Sequence, residues 1–256
     1  MLQKTACFLV IGNEILSGRT QDANTRVLAQ ALNAQGIRLM EVRVIPDIAE
    51  RIISTVRECS AAFDIVFTSG GIGPTHDDIT AECVATAMGA PLVRHEESFR
   101  LLEAALGADR FNAARQRMAY LPEGSTPILN TVSVAPGFSI GNVHVMAGVP
   151  SIFASMVAWL VPQMEKGAPL VSASWHAAGL KEGDFASDLA TLQEGFPTID
   201  LGSYPYHLPD GASGVALVAK GYDSAIVEKA AQAIHDLIMA HGREPLAGEP
   251  PHRQTV

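Results

Sequence analysis

Cysteine is scarce in this chain. The three residues Cys7, Cys59 and Cys83 are widely spaced, and each sits among apolar neighbours. This excludes a CxxC redox or zinc motif and a disulfide-stapled scaffold, and it predicts buried thiols in a chain suited to a reducing compartment. Basic residues are also short, 18 Lys and Arg against 27 Asp and Glu, for a net charge of −9. Binding to a nucleic-acid backbone rests on cations that displace counterions, so no nucleic-acid partner is expected. No stretch approaches the ~20 apolar residues that span a bilayer. The opening MLQKTACFLVIGNEI lacks a basic segment leading to a cleavage site, so no membrane partner and a cytoplasmic location are expected. The histidines show no close spacing of the zinc type.

What is present is core material. Hydrophobic residues make up 48% of the 256 positions and charged residues only 18%, which fits a globular chain with room for two domains. TACFLVI (5–11) is a continuous apolar run ending at Gly12, as in a strand buried on both faces of a parallel sheet. A helix capped by Asp22 or Asn24 runs to Gly36. It is followed by a strand over 37–45, a helix from Asp47 to about Ala61 and a second buried strand, DIVFTSGG (64–71). This is the β-α-β-α-β order of a doubly wound sheet. Helices are expected over 79–88, 96–106 and 112–120, then a loop-rich stretch, a late strand HVMAG (144–148) and a helix from Pro150. KGAP (166–169) reads as a linker, which places one domain over 1–168 and a small α+β domain, β-α-β-β-α, over 169–243. The Pro-rich residues 244–256 are expected to be a disordered tail.

TSGGIGPTHDDIT (68–80) carries the chemistry. It follows a buried strand and opens a helix, the place where open α/β sheets bind ligands. Gly70, Gly71 and Gly73 let the backbone turn and present amides to an anion, with Ser69, Pro74 and Thr75 in the same loop. Asp77 and Asp78 follow at once, and two carboxylates beside phosphate repel it unless a divalent cation lies between them. A second reading stands beside this one. Thr75 and Asp78 could form a capping-box-like pair, or Asp78 could cap the helix from Ile79.

GGIGPTHDDIT resembles the GGxGPTxDDxT signature of molybdopterin-binding domains of the MoaB/Mog type, in the version found in the N-terminal part of competence/damage-inducible protein A. GNEILSG (12–18), DANT (22–25), ARQRMAYLPEGSTPILN (114–130), APGF (135–138) and AGVPSIF (147–153) follow in the family's order, and GSYP (202–205) extends the likeness more weakly. The resemblance implies a Rossmann-like three-layer α/β/α domain over residues 4–165, a homo-oligomer (dimer or trimer) and a cleft lined by these loops. It implies one of two functions. The first is hydrolysis of a nucleotide pyrophosphate such as ADP-ribose or FAD with a divalent metal (Mg, Mn or Co). The second is binding of a pterin phosphate in molybdenum cofactor metabolism, without hydrolysis. Asn13 departs from the family's Thr or Asp, and Asp78 matches the more widely kept acid of the pair.

The candidate catalytic and metal-holding residues are therefore Asp78, Asp77 and Glu14, the last because it follows the first strand at the same sheet edge. Asn24 is a ligand contact or a helix cap. Arg115, ahead of Arg117, could pair with a ligand phosphate. Asn130 and Gly137 match a loop that walls the family's cleft, while Gly148 and Pro150 end the last core strand at the same edge. His76 reads as a surface residue.

Overall fold

The structure, a computed structural model, describes residues 3–209 and 211–250. The chain divides between Gly167 and Ala168 into two compact units. The first runs β1 (Thr5–Ile11), α1 (Asn13–Leu16), α2 (Asn24–Gln35), β2 (Arg38–Ile45), α3 (Ala49–Ala62), β3 (Ile65–Ser69), α4 (Thr80–Met88), β4 (Leu92–Arg94) and α5 (Glu96–Leu106). It continues with α6 (Ala113–Gln116), β5 (Tyr120–Pro122), β6 (Thr126–Ile128), β7 (Gly137–Ile140), β8 (Val143–Met146) and α7 (Pro150–Leu160).

Six strands form one sheet in the order β2-β1-β3-β8-β7-β6. The first four are mutually parallel, and β7 runs antiparallel to both β8 and β6. The apolar run in β1 is explained by its central place. Ala6, Phe8 and Val10 join one core with Leu28 and Leu32 of α2 and Phe153 and Met156 of α7. Cys7, Leu9 and Ile11 join the other with Ile52 and Val56 of α3 and Val84 of α4. Successive residues on a strand point to opposite faces, so two helical layers require both parities to be apolar. This is the α/β/α sandwich expected from the sequence.

The second unit contains β9 (Val171–Ala178), α8 (Glu182–Gly195), β10 (Asp200–His207), β11 (Ser213–Gly221), α9 (Ser224–Ala240) and β12 (Leu246–Ala247). Its antiparallel sheet has the order β10-β11-β9-β12. Val227, Ala230, Ile234 and Ile238, at helical spacing on α9, pack on Val215, Leu217 and Ala219 of β11. The Asp223 side chain caps α9 by accepting from the Ala225 and Ile226 amides.

Local departures from the sequence reading have physical causes. The expected helix over 112–120 ends at Gln116 and tightens into a 3₁₀ turn at Arg117–Ala119. The loop-rich stretch holds β5, β6 and β7, each of three or four residues. The expected tail is not irregular from residue 244, because Leu246 and Ala247 pair with Trp175 and His176 on the edge of β9; residues 251–256 lie outside the described residues. Among the described residues no helix is long and apolar enough to cross a membrane.

The three cysteines are buried and free. Cys7 and Cys59 face each other with Sγ atoms 3.6 Å apart. Burial is the main cause that raises all three thiols, Cys83 to about 11. Because the thiolate is the reactive form, a thiol reagent at neutral pH is expected to label none of them in the native protein and all three after unfolding. Labelling of native Cys7 at a free-thiol rate would contradict this packing.

His144 on β8 packs its ring 5.3 Å from that of Phe67 and shares a 2.8 Å hydrogen bond between Nδ1 and Ser139 Oγ. Burial disfavours its charged form and depresses its pKa to about 4. An unfolded histidine titrates near 6.5, so between the two values the unfolded chain binds the extra proton and stability falls as the pH falls. The loss is on the order of 2–3 kcal/mol by pH 4, and this group contributes no slope above about pH 7. Denaturant midpoints measured from pH 7 down to 4.5 are expected to drop in the native sequence and to drop less in His144→Gln. Parallel slopes would remove His144 as the source.

Candidate functional site

The carboxyl ends of three neighbouring parallel strands meet at one edge, where β1 delivers Gly12 to Glu14, β3 delivers Gly70 to Asp78, and β8 delivers Ala147 to Pro150. Between them lies a cleft of about 500 Å³. Its walls are Glu14 and Thr20 on one strand end, Gly70 to Pro74 with Asp78 on the next, and Gly148, Val149, Pro150 and Ile152 on the third, with Met118, Ser133 and Ala135 from the loops.

Glycine is required at the floor. Gly70 has φ 104° and Gly71 φ 67°, a region that side chains with a Cβ rarely enter. A Cβ on Gly70 would overlap the Ile11 carbonyl oxygen, and one on Gly71 the Thr80 hydroxyl. Gly70 N–H donates to Met146 C=O at 3.1 Å, tying β3 to β8, and Thr80 N–H donates to Gly71 C=O at 2.9 Å. The amides of Gly71, Ile72 and Gly73 have no acceptor among the described residues. Successive backbone N–H groups left unpaired in a turn carry partial positive charge that an anion can meet.

Asn24 is a strut of this floor. Its Nδ2 donates to Gly148 C=O at 2.9 Å and to Ser69 Oγ at 3.4 Å, joining α2 to the ends of β8 and β3. The cap of α2 is Asp22, whose Oδ1 accepts from the Asn24 amide at 2.8 Å and the Thr25 amide at 3.3 Å. Of the two roles open to Asn24 in the sequence, capping therefore belongs to its neighbour. Ser69 is buried, and with Asn24 it lines a smaller pocket that shares Glu14, Thr20, Gly148 and Pro150 with the cleft walls.

Asp78 lines the cleft and also accepts, through Oδ2, from the Thr75 amide at 2.8 Å and the Thr75 hydroxyl at 2.5 Å. Its side chain makes no cap bond to α4, so it turns back on the loop and does not cap the helix. Asp77 is not part of the cleft. Its exposed carboxylate stands 4.0 Å from His76 Nδ1. Thr75 itself spends its amide on Asp78 and does not reach the cleft.

Three further candidates lie off the site. Arg115 donates to the Arg110 carbonyl at 2.5 Å. Asn130 shapes its own loop, donating to Ala135 C=O at 2.9 Å and accepting from the Val132 and Ser133 amides. Gly137 opens β7 in the sheet, packed on Val145 and Met156. The sequence reading missed Met118 and set Arg117 behind Arg115. Arg117 and Met118 line a cavity of about 140 Å³ that shares Ile72, Gly73, Asp78 and Met118 with the walls of the cleft and is otherwise lined by Ala81, Glu82, Leu92, Tyr120, Leu121, Pro136 and Phe138. Arg117 pairs there with Glu82 at 3.5 Å.

Comparison with known proteins agrees with this geometry. The family described as probable molybdopterin binding domain matches residues 7–166, and the one described as FAD synthase, middle domain, matches residues 173–245. A CinA-like protein of Desulfovibrio desulfuricans is 33% identical over 237 residues; the match covers 89% of this chain and 55% of that protein, so the chain spans little more than half of that relative. A protein of Archaeoglobus fulgidus is 31% identical over 233 residues, covering 89% of this chain and 95% of its own length. The crystal structure of the protein CinA, of unknown function, from Thermoplasma acidophilum superposes with a TM-score of 0.58 at 31% identity, covering 61% of this chain and 95% of that one. Sheet, glycine loop and sequence relatives agree, and the chain belongs to the CinA-like molybdopterin-binding domain family.

Proposed function

We propose that the cleft binds the phosphates of a nucleotide-like or pterin-like ligand on the amides of Gly71, Ile72 and Gly73, and that it hydrolyses a nucleotide pyrophosphate of the ADP-ribose or FAD type with a divalent cation. One observation carries this reading: Glu14 and Asp78 reach the same cleft from two strand ends, beside amides that favour an anion. Two carboxylates facing phosphate are repulsive without a cation between them. Among the described residues no group of three His, Cys, Asp or Glu side chains could hold an ion, so the donors do not suit a resident metal cage. They do suit a hard dication that arrives with the ligand, since Mg²⁺ commonly takes one or two carboxylates and fills its shell from phosphate oxygens and water. Mg, Mn or Co would be held by Asp78 and Glu14, without Asp77. When bound, such an ion neutralises charge on the phosphoryl oxygens. The chain's own part is to hold the non-reacting phosphate on the loop amides and to fix the loop through Gly70 and Thr80.

The likeness of residues 173–245 to the FAD synthase middle domain supports a dinucleotide as ligand. The description of the first unit's family supports the second reading, a pterin phosphate bound without hydrolysis. The test that separates them is hydrolysis of ADP-ribose and FAD across titrations of Mg, Mn and Co, run beside a molybdopterin-binding assay. Cation-dependent release of mononucleotide is expected. Tight pterin binding with no turnover under any cation would establish the second reading instead.

A further inference from the structure

The two edges of the first unit's sheet are unequal. β6 is three residues long and carries Pro127, two of the usual devices that keep an edge from pairing with another chain. β2 is eight residues long, and among the described residues no strand lies beyond it. Its pairing with β1 slips once, at Met40, and then runs unbroken from Glu41 to Ile45. The Ile45 carbonyl accepts from Gly12 N–H at the end of β1. Backbone groups along a strand alternate in direction, so those of Glu41 and Arg43 also face β1, and those of Val42 and Val44 face away from the sheet. On one face of the same strand Met40, Val42 and Val44 stand 48%, 39% and 39% exposed. On the other, Arg43 pairs with Glu41 and, at 2.8 Å, with Glu58 of α3.

We propose that β2 is the contact between two copies of this chain, paired antiparallel about a two-fold axis through Val42, which joins two six-stranded sheets into one. A second copy suits this edge because the strand is complementary to itself in one antiparallel register. With Val42 on the axis, Glu41 lies opposite the partner's Arg43 and Arg43 opposite the partner's Glu41, while Met40 meets the partner's Val44 on the apolar face. An axis through Glu41 or through Arg43 sets two like charges directly opposite each other, which is destabilising. An axis through Met40 or Val44 leaves neither Glu41 nor Arg43 facing an opposite charge. Val42 is also a residue whose N–H and C=O point outward, so the two copies of it exchange both main-chain bonds. Such an isologous contact closes at two copies. Strand addition draws its affinity from main-chain bonds, and the side chains set the register.

Sedimentation equilibrium of the full chain is expected to show monomer and dimer in the native sequence and no larger species. Val42→Lys sets two ammonium groups at the axis, and Glu41→Arg or Arg43→Glu sets like charges opposite each other twice in each dimer. Each variant is expected to weaken the dimer by about tenfold or more, with the circular dichroism spectrum of the native fold. An equimolar mixture of the Glu41→Arg and Arg43→Glu chains is expected to regain the dimer, because a strand with two cations then faces one with two carboxylates. The chain carrying both substitutions is expected to dimerise as the native one does, since the exchange keeps every facing pair opposite in sign. A native chain that stays monomeric or forms trimers, or a Val42→Lys chain that dimerises as tightly as the native one, would overturn the contact. Folded single variants whose mixture fails to associate would overturn the register, and the proposal with it.

Discussion

Gly70→Ala is expected to destabilise the first unit by about 2–6 kcal/mol, combining roughly 1–3 for a strained backbone with roughly 1–3 for overpacking. The cause is specific. At φ 104° the new Cβ overlaps the Ile11 carbonyl oxygen, a backbone atom at the end of β1 that cannot swing aside as a side chain could. Relief requires β1 and β3 to part at the edge where the cleft lies, and the Gly70 N–H bond to Met146 would stretch with them. Ligand binding should therefore vanish together with stability. Gly18→Ala is the control. Gly18 also has a positive φ, 72°, but a Cβ there meets nothing within 4 Å, so only the left-handed cost of about 1–2 kcal/mol applies. Equal effects at the two positions, read from chemical denaturation, would show that the floor is less tightly built than described.

Asp78→Asn is expected to lower cation-dependent hydrolysis by about 10²-fold or more, the usual scale for losing a group that stabilises transition-state charge, and to move the cation midpoint upward. Folding should change little. The amide retains an oxygen to accept from the Thr75 amide or hydroxyl, the two donors that now hold Oδ2. Thermal unfolding without cation and hydrolysis rates across a cation titration, measured on both proteins, separate the two roles. A rate and midpoint equal to the native ones would leave Asp78 as a loop-fixing residue only. Asp77→Asn, in an exposed carboxylate off the cleft, is the matched comparison and should leave both quantities near native.

What could be read from residues alone depended on how directly the residues encode backbone geometry. TACFLVI gave the central strand because a strand covered on both faces leaves no polar parity. The glycine loop was legible because positive φ and close approach leave glycine as the one residue that fits. Side-chain direction within turns was not legible. Asp77 and Asp78 are neighbours in sequence, and only the turn that bonds Asp78 N–H to Thr75 C=O and Ile79 N–H to Asp77 C=O decides which carboxylate enters the cleft. Arg115 was set ahead of Arg117, and it is Arg117 that lines a cavity beside Gly73 and Asp78 while Arg115 donates to the Arg110 carbonyl. The strands β5, β6 and β7 are too short for an alternating pattern to emerge, and β12 exists because β9 offers it an edge.

The meeting of β1, β3 and β8 at one edge also bears on the order in which this protein comes into being. Val66 on β3 pairs with Val143 on β8 across a long stretch of intervening chain, and non-local pairings of this kind form late, because closing the loop costs entropy before any contact repays it. During synthesis the glycine loop and α4 leave the ribosome well before Gly148 and Pro150, which complete the walls beside them, and before Met146, whose carbonyl fixes Gly70. A nascent chain therefore carries the recognisable motif for some time without a place to bind anything, and the capacity to hold a ligand arrives only when the fourth parallel strand docks.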